Sequence, residues 1–454
     1  MISPDPGSFR DPASRVVHDG SRVLRVLDDR GLEAWDALKT KEFFHRALAD
    51  GRIIATTEVD DSIPGAAGVL AHPRLPLITY PYEWTFSMLK DAALLQLDLL
   101  AEALAEGTTI KDATPFNIQF VSGKPVFIDL GSFEPYRQGE PWIGYRQFTR
   151  QFLFPLMLRS WSDIPHQIWL RGDMEGPTAQ QMRQLLPSGK RKRPSVLLHV
   201  TLQAKMEDNM SGEAVRGDLK QAGFSADLIL ANVSKLRKLV DSLEWDPEVE
   251  GWSDYDSCTH VGRDRDNKSD FLAKALERSG PRVVADLGAN DAHFSLIAAE
   301  AGAHAIAIDG DEPVLDMVYQ DSAGTNMSLV VSDLTNPTPA QGWAGVERPA
   351  LFDRVKPDLI VAYGVIHHLI YTSSVPPRTV MQWLRNFNCD VVVEFVAPED
   401  EMVSKLTANK LPEELHVGRT ESEFRELLSE LGFVTVSERS LEGGTRTLFD
   451  LSVS

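Results

Sequence analysis

The chain is poor in cysteine, in positive charge and in long apolar runs. Its 454 residues hold two cysteines, Cys258 and Cys389, far apart and without Cys-x-x-Cys spacing. That argues against a disulfide framework and against a zinc site, so no metal centre is expected and a reducing, cytoplasmic setting is. No stretch reaches the ~18 apolar residues that a membrane-spanning helix needs. Residues 1–15 lack a basic start followed by an apolar core, so no secretory signal is expected. Lysine and arginine number 46 against 66 acidic residues, a formal charge of −20. Such a balance repels phosphate backbones, and no nucleic-acid partner is expected. What remains is a globular chain, long enough for two or three domains.

The N-terminal stretch mixes strand and helix signals, an α+β pattern. Residues 15–18 and 22–27 read as strands around Asp19-Gly20, a dipeptide suited to a hairpin turn. Residues 31–48 read as one helix, with Trp35, Leu38, Phe43 and Phe44 near one face. Leu89, Ala93, Leu97, Leu100 and Leu104 recur at steps of three or four and predict a helix over 88–104, closed by Gly107. Polar helical segments and the basic run Lys190-Arg191-Lys192-Arg193 follow. The expected organisation is a domain over 1–158, a helical connector over 159–253 and a second domain over 254–454.

In that last part strand-like and helix-like stretches alternate as βαβ units do. Strands are predicted at 282–287, 303–309, 328–332, 357–363 and 389–395, then a hairpin of 432–438 and 445–452 around Gly443-Gly444. Asp286 and Gly288 fall at the carboxyl end of the first strand, where open α/β sheets bind ligands. Asp309 ends the second strand about 20 residues on, placed to grip a ribose diol. A dinucleotide fingerprint would need glycine at positions occupied by Asn290 and His293. An acidic residue ahead of the glycine suits a cationic amino group better than a pyrophosphate. The ligand this describes is S-adenosylmethionine (SAM), with an ammonium, a ribose and an adenine.

Val284-Ala-Asp-Leu-Gly-Ala-Asn290 resembles the first motif of class I SAM-dependent methyltransferases. The resemblance covers residues ~255–454 and implies an α/β, Rossmann-like seven-stranded sheet. It implies that Asp286, Gly288 and Asn290 line the methionine part of SAM and that Asp309 holds the ribose. Val331-Ser-Asp333-Leu334 resembles the adenine motif, with Asp333 accepting from the exocyclic amine and Leu334 packing on the ring. Asn290 and Ala292 stand where that family usually has glycine. Trp252-Ser-Asp-Tyr255, Lys268, residues 363–369 and residues 394–400 resemble the bacterial nodulation-protein-like methyltransferases, which implies a lid over the donor carrying Tyr255 and Lys268.

The fourth strand runs on into His367 and His368. Neutral imidazole is a competent base near pH 7, so either is a candidate to take a proton from an acceptor hydroxyl. The (Asp/Asn)-Pro-Pro-Tyr motif of amino-group methylation on adenine or glutamine is absent. The expected acceptor is an oxygen or nitrogen of a small molecule, a glycan or lipid intermediate, or a protein residue.

A second signal lies upstream. Asp112, Asn117 and then Asp129-Leu-Gly131 resemble the catalytic loop and metal motif of protein-kinase-like folds. The resemblance implies Asp112 as base, with Asn117 and Asp129 near magnesium and ATP phosphates. Two parts are missing. No glycine-rich loop precedes residue 80, and the strand at 22–27 has arginines and no lysine. A degenerate scaffold is therefore favoured over an ATP- and magnesium-dependent phosphotransferase, which stands as the rival function.

Overall fold

The structure is a computed structural model that describes residues 2–204, 225–247, 261–411, 414–416 and 420–453. The chain divides into two compact units, Met1–Pro247 with Pro339–Pro349, and Glu248–Thr338 with Ala350–Ser454. Among the described residues no helix is long and apolar enough to cross a membrane.

The N-terminal unit opens with an antiparallel sheet. Strands β1 (Ile2–Pro4), β2 (Ser14–Asp19), β3 (Arg22–Leu27), β4 (Thr57–Glu58) and β5 (Gly68–His72) lie in the order β1-β2-β3-β5-β4. The β2–β3 hairpin turns at Gly20, whose φ of +59° suits glycine there. The helix expected at 31–48 is two helices, Asp29–Leu38 and Glu42–Ala49. The break has a distant cause. The Glu106 carboxylate accepts the backbone N–H groups of Glu42 and Phe43 at 2.8 and 2.7 Å, starting a fresh helix with a carboxylate from another element.

The helix Phe86–Ala105 begins at Thr85, whose side chain accepts the Met88 N–H, and is buried on most of its surface. Two short ladders follow it: β6 (Thr108–Ile110) pairs with β9 (Phe133–Pro135), and β7 (Ile118–Val121) with β8 (Lys124–Phe127). The stretch between the sheet and these ladders is therefore antiparallel strand and helix, as the α+β expectation has it.

The C-terminal unit holds one seven-stranded sheet. Its strands are β10 (Val283–Leu287), β11 (His304–Asp309), β12 (Met327–Val331), β13 (Leu359–Ala362), β14 (Asp390–Val396), β15 (Phe433–Ser440) and β16 (Arg446–Val453). They lie in the order β12-β11-β10-β13-β14-β16-β15. The first five are parallel and β16 runs antiparallel between β14 and β15. All four residues of β13 and six of the seven in β14 are buried, which is why they read as continuous apolar runs. This is an α/β protein with a Rossmann-like seven-stranded sheet. The strand order reverses between β10 and β13, and the carboxyl ends of strands at such a switch point are where open α/β sheets bind ligands.

Candidate active site

The turn after β10 is built for close backbone approach. Gly288 has a φ of +74°, and a Cβ there would meet the Val365 side chain at 3.0 Å. Asn290 and Ala292 also take left-handed angles, with φ of 48° and 57°. Both stand where glycine was the family expectation, and the backbone keeps the glycine-like conformation regardless.

Asp309 closes this turn from the neighbouring strand. Its Oδ2 accepts the Asn290 N–H at 2.8 Å and its Oδ1 accepts the Asp311 N–H at 2.8 Å. The cap of the next helix is Asp311, which accepts the Val314 N–H, so Asp309 does not serve as that cap. Burial pushes the Asp309 carboxyl up, against the pull of these backbone bonds. Ser332 donates its N–H to the Asp309 carbonyl at 2.7 Å, which brings Asp333 and Leu334 beside the same strand end. Asp333 accepts from the Thr335 backbone and hydroxyl at 2.8 and 2.7 Å and is exposed, while Leu334 is half-buried.

Asp286 is buried and accepts the Ser295 hydroxyl at 2.7 Å. Burial pushes its carboxyl up to about 7, with the Asp309 charge adding to the rise. Among the described residues no ion pair neutralises it. A buried acid without a counter-ion, beside a glycine turn against which the Val365 side chain packs, fits a ligand carrying an ammonium. Asp286, Gly288, Asn290, Asp309 and Asp333 are thus brought to adjoining strand ends. Tyr255 lies outside the described residues.

Lys268 sits on the helix Val261–Ser279 and meets, in a second cluster, residues of the segments 363–369 and 394–400 that share its resemblance. Its Nζ donates to Glu394 Oε2 at 2.8 Å. Glu394 is buried within β14, and it also accepts the Gly364 N–H at 2.7 Å and Arg446 Nη1 at 3.2 Å. Arg446 in turn grips Asp400 at 2.9 and 3.0 Å. Burial works to raise the Glu394 carboxyl, but the Lys268 and Arg446 cations outweigh it and bring it down to about 2. Tyr363, at the end of β13, donates its hydroxyl to the Lys268 carbonyl at 3.3 Å and meets the Phe294 ring edge-on at 4.8 Å. Beside the resemblance of the segment 394–400, the sequence marks Glu394 as a lone carboxylate inside the apolar run Val391-Val-Val-Glu394-Phe-Val396.

The two histidines differ. His367 is buried and lines a cavity of about 10 Å³ with Ile366, Ile370, Phe395 and Phe424, too small for more than one water. Burial holds its imidazole down to about 3. His368 is half-buried, its ring centroid 4.3 Å from that of His367, and burial and then Arg446 hold it below its ordinary value.

In the N-terminal unit, Asp112, Asn117 and Asp129 also converge. Asn117 Nδ2 donates to Ser132 Oγ at 3.1 Å, and Ser132 Oγ donates to Asp129 Oδ2 at 2.5 Å. Arg25 Nη1 donates to Asp129 Oδ1 at 3.0 Å. Burial and then the Asp129 charge push the Asp112 carboxyl up. The cation at this point is an arginine of β3, the strand that holds arginines and no lysine.

No family model matches the chain. It is 33% identical over 455 residues to nodulation protein NoeA of Rhizobium meliloti (strain 1021), covering 98% of this chain and 94% of that protein. Among solved structures it is similar to magnesium protoporphyrin IX methyltransferase (ChlM) from Synechocystis PCC 6803 with bound SAH. That match is 18% identical with a TM-score of 0.30, covering 41% of this chain and 83% of the other. It is also similar to the bifunctional kinase-methyltransferase WbdD, at 18% identity and a TM-score of 0.31, covering 48% of this chain and 46% of that one. The chain belongs to the NoeA family.

Proposed function

We propose that this member of the NoeA family is a SAM-dependent methyltransferase acting on an oxygen or nitrogen of a small-molecule, glycan, lipid-intermediate or protein acceptor. The observation that carries the reading is the joined turn of β10 and β11. There an unneutralised buried Asp286, the left-handed turn at Gly288 and the Asp309 carboxylate meet at the neighbouring ends of β10 and β11, beside the sheet's topological switch point. When bound, the donor supplies an electrophilic methyl group on a sulfonium.

The chain's own residues do the rest. Asp286 faces the ammonium, Asp309 accepts from the ribose hydroxyls, and Asp333 accepts from the adenine amine while Leu334 covers the ring. Lys268, held by Glu394, steadies the helix that leads into the donor turn. Of the histidine pair, we assign His368 the proton of the acceptor. His367 lies against an apolar cavity, and an imidazole held at about 3 is a weak base at pH 7. Direct displacement needs little beyond alignment, so positioning supplies most of the acceleration.

The N-terminal unit we read as a degenerate kinase-like scaffold. The support is the antiparallel sheet followed by the Asp112, Asn117 and Asp129 cluster. Calorimetric titration of SAM into the full chain tests the donor site, with Asp309→Ala as control. Binding in the parent that weakens at least tenfold in Asp309→Ala is expected. Equal heats in both would refute the assignment.

A further inference from the structure

We infer that the Arg25 guanidinium takes the place of a divalent cation at Asp129, so that the kinase-like centre of the N-terminal unit is neutralised from within and holds no magnesium. The inference stands apart from the methyltransferase reading. A metal at this motif would need an Asp129 oxygen. Both oxygens are engaged, Oδ1 by Arg25 at 3.0 Å and Oδ2 by the Ser132 hydroxyl at 2.5 Å.

Arg25 is itself fixed. It is 6% exposed, its Nη1 also donates to Ser14 Oγ at 2.8 Å, and its Nη2 donates to the Ile128 carbonyl at 3.0 Å. Gly131 permits this closure, because a Cβ there would stand 3.1 Å from Ser14 Oγ and 3.4 Å from Asp129 Oδ1. One side chain thus ties β2, β3 and the segment after β8 together.

The charge arithmetic runs against a metal. A divalent ion that took Asp129 would leave the Arg25 cation buried without its counter-charge and place a second cation beside it. Both effects oppose binding. The residues present do not fit the magnesium that the kinase-like resemblance implies.

Manganese titration of the full-length chain, followed by the paramagnetic signal of the free ion and repeated with ATP present, tests this. The expected result is a signal equal to that of the free ion, or bound manganese that persists unchanged in Asp129→Asn and so lies elsewhere. Bound manganese that disappears in Asp129→Asn, in a variant that still folds by circular dichroism, would overturn the inference. A second variant checks the pairing itself. Arg25→Gln is expected to lower the unfolding midpoint by roughly 2–4 °C, because it removes a buried guanidinium that pairs with the half-buried Asp129 carboxylate and ties β2, β3 and the segment after β8 together. An unchanged midpoint would mean that Arg25 is not the counter-ion.

Discussion

Asp286 illustrates how one residue can be costly for the fold and useful to the site. Its carboxyl is raised to about 7, chiefly by burial, against an ordinary value near 3.9. For a group raised in this way, the stability it lends is present at low pH and is lost as pH rises towards 7. Asp286→Asn should therefore make the ligand-free chain more stable at pH 8 and leave it little changed near pH 4, by urea unfolding at the two values. SAM affinity should move oppositely. It should rise with pH to a plateau above about 7 as the carboxylate forms, and the rise should vanish in Asp286→Asn, as calorimetry would report.

Asn290 carries a smaller strain. It is exposed with φ at 48°, a conformation that costs most residues with a Cβ about 1 kcal/mol and costs asparagine less. Asn290→Ala should lose about 1 kcal/mol of stability, and Asn290→Gly should lose none, by denaturant melts. At this scale much of the candidate site was legible. Asp286 and Asp309 sit at ordered strand ends, and strand ends are visible as the limits of apolar runs. Arg25 was not legible, because its partner lies 104 residues away and no local pattern announces an ion pair across that span.

Among elements, β14 does the most to join the two halves of the site. Its Glu394 ties the helix Val261–Ser279 through Lys268, the turn after β13 through Gly364, and β16 through Arg446. Glu394→Gln leaves those cations without their central counter-charge and should cost about 3 kcal/mol in urea unfolding at pH 7. The acid behaviour has the opposite sign to that of Asp286. A carboxyl brought down to about 2 lends stability that is present above about 4.3 and is lost as pH falls towards 2. The parent should thus lose its advantage over Glu394→Gln across that range, while an advantage constant with pH would contradict the ion-pair account.

The five parallel strands of the C-terminal sheet were readable because burial on both faces leaves uninterrupted apolar runs, whereas β15, exposed along most of its length, was readable as one arm of the hairpin around Gly443-Gly444. The split of the first N-terminal helical stretch was not readable. It depends on Glu106, a residue more than sixty positions downstream that accepts from the Glu42 and Phe43 backbone. Helix starts usually announce themselves through a capping residue nearby in sequence, and here the acceptor comes from tertiary structure.

For the whole molecule, the charge balance of −20 and the two-unit division set the terms. An acidic chain should not be retained on immobilised duplex DNA at physiological salt, and retention that weakens as salt rises would contradict the expected absence of a nucleic-acid partner. The division also gives the central claim a spatial form, because the donor turn, the ribose acid and the adenine segment all belong to the C-terminal unit. Ultraviolet cross-linking of methyl-labelled SAM to the full chain, followed by peptide mapping, tests that claim most directly. The account predicts label in peptides spanning 284–293, 309–315 or 331–336, and suppression by excess unlabelled SAM. Label confined to peptides of the N-terminal unit, or no suppressible label at all, would contradict it.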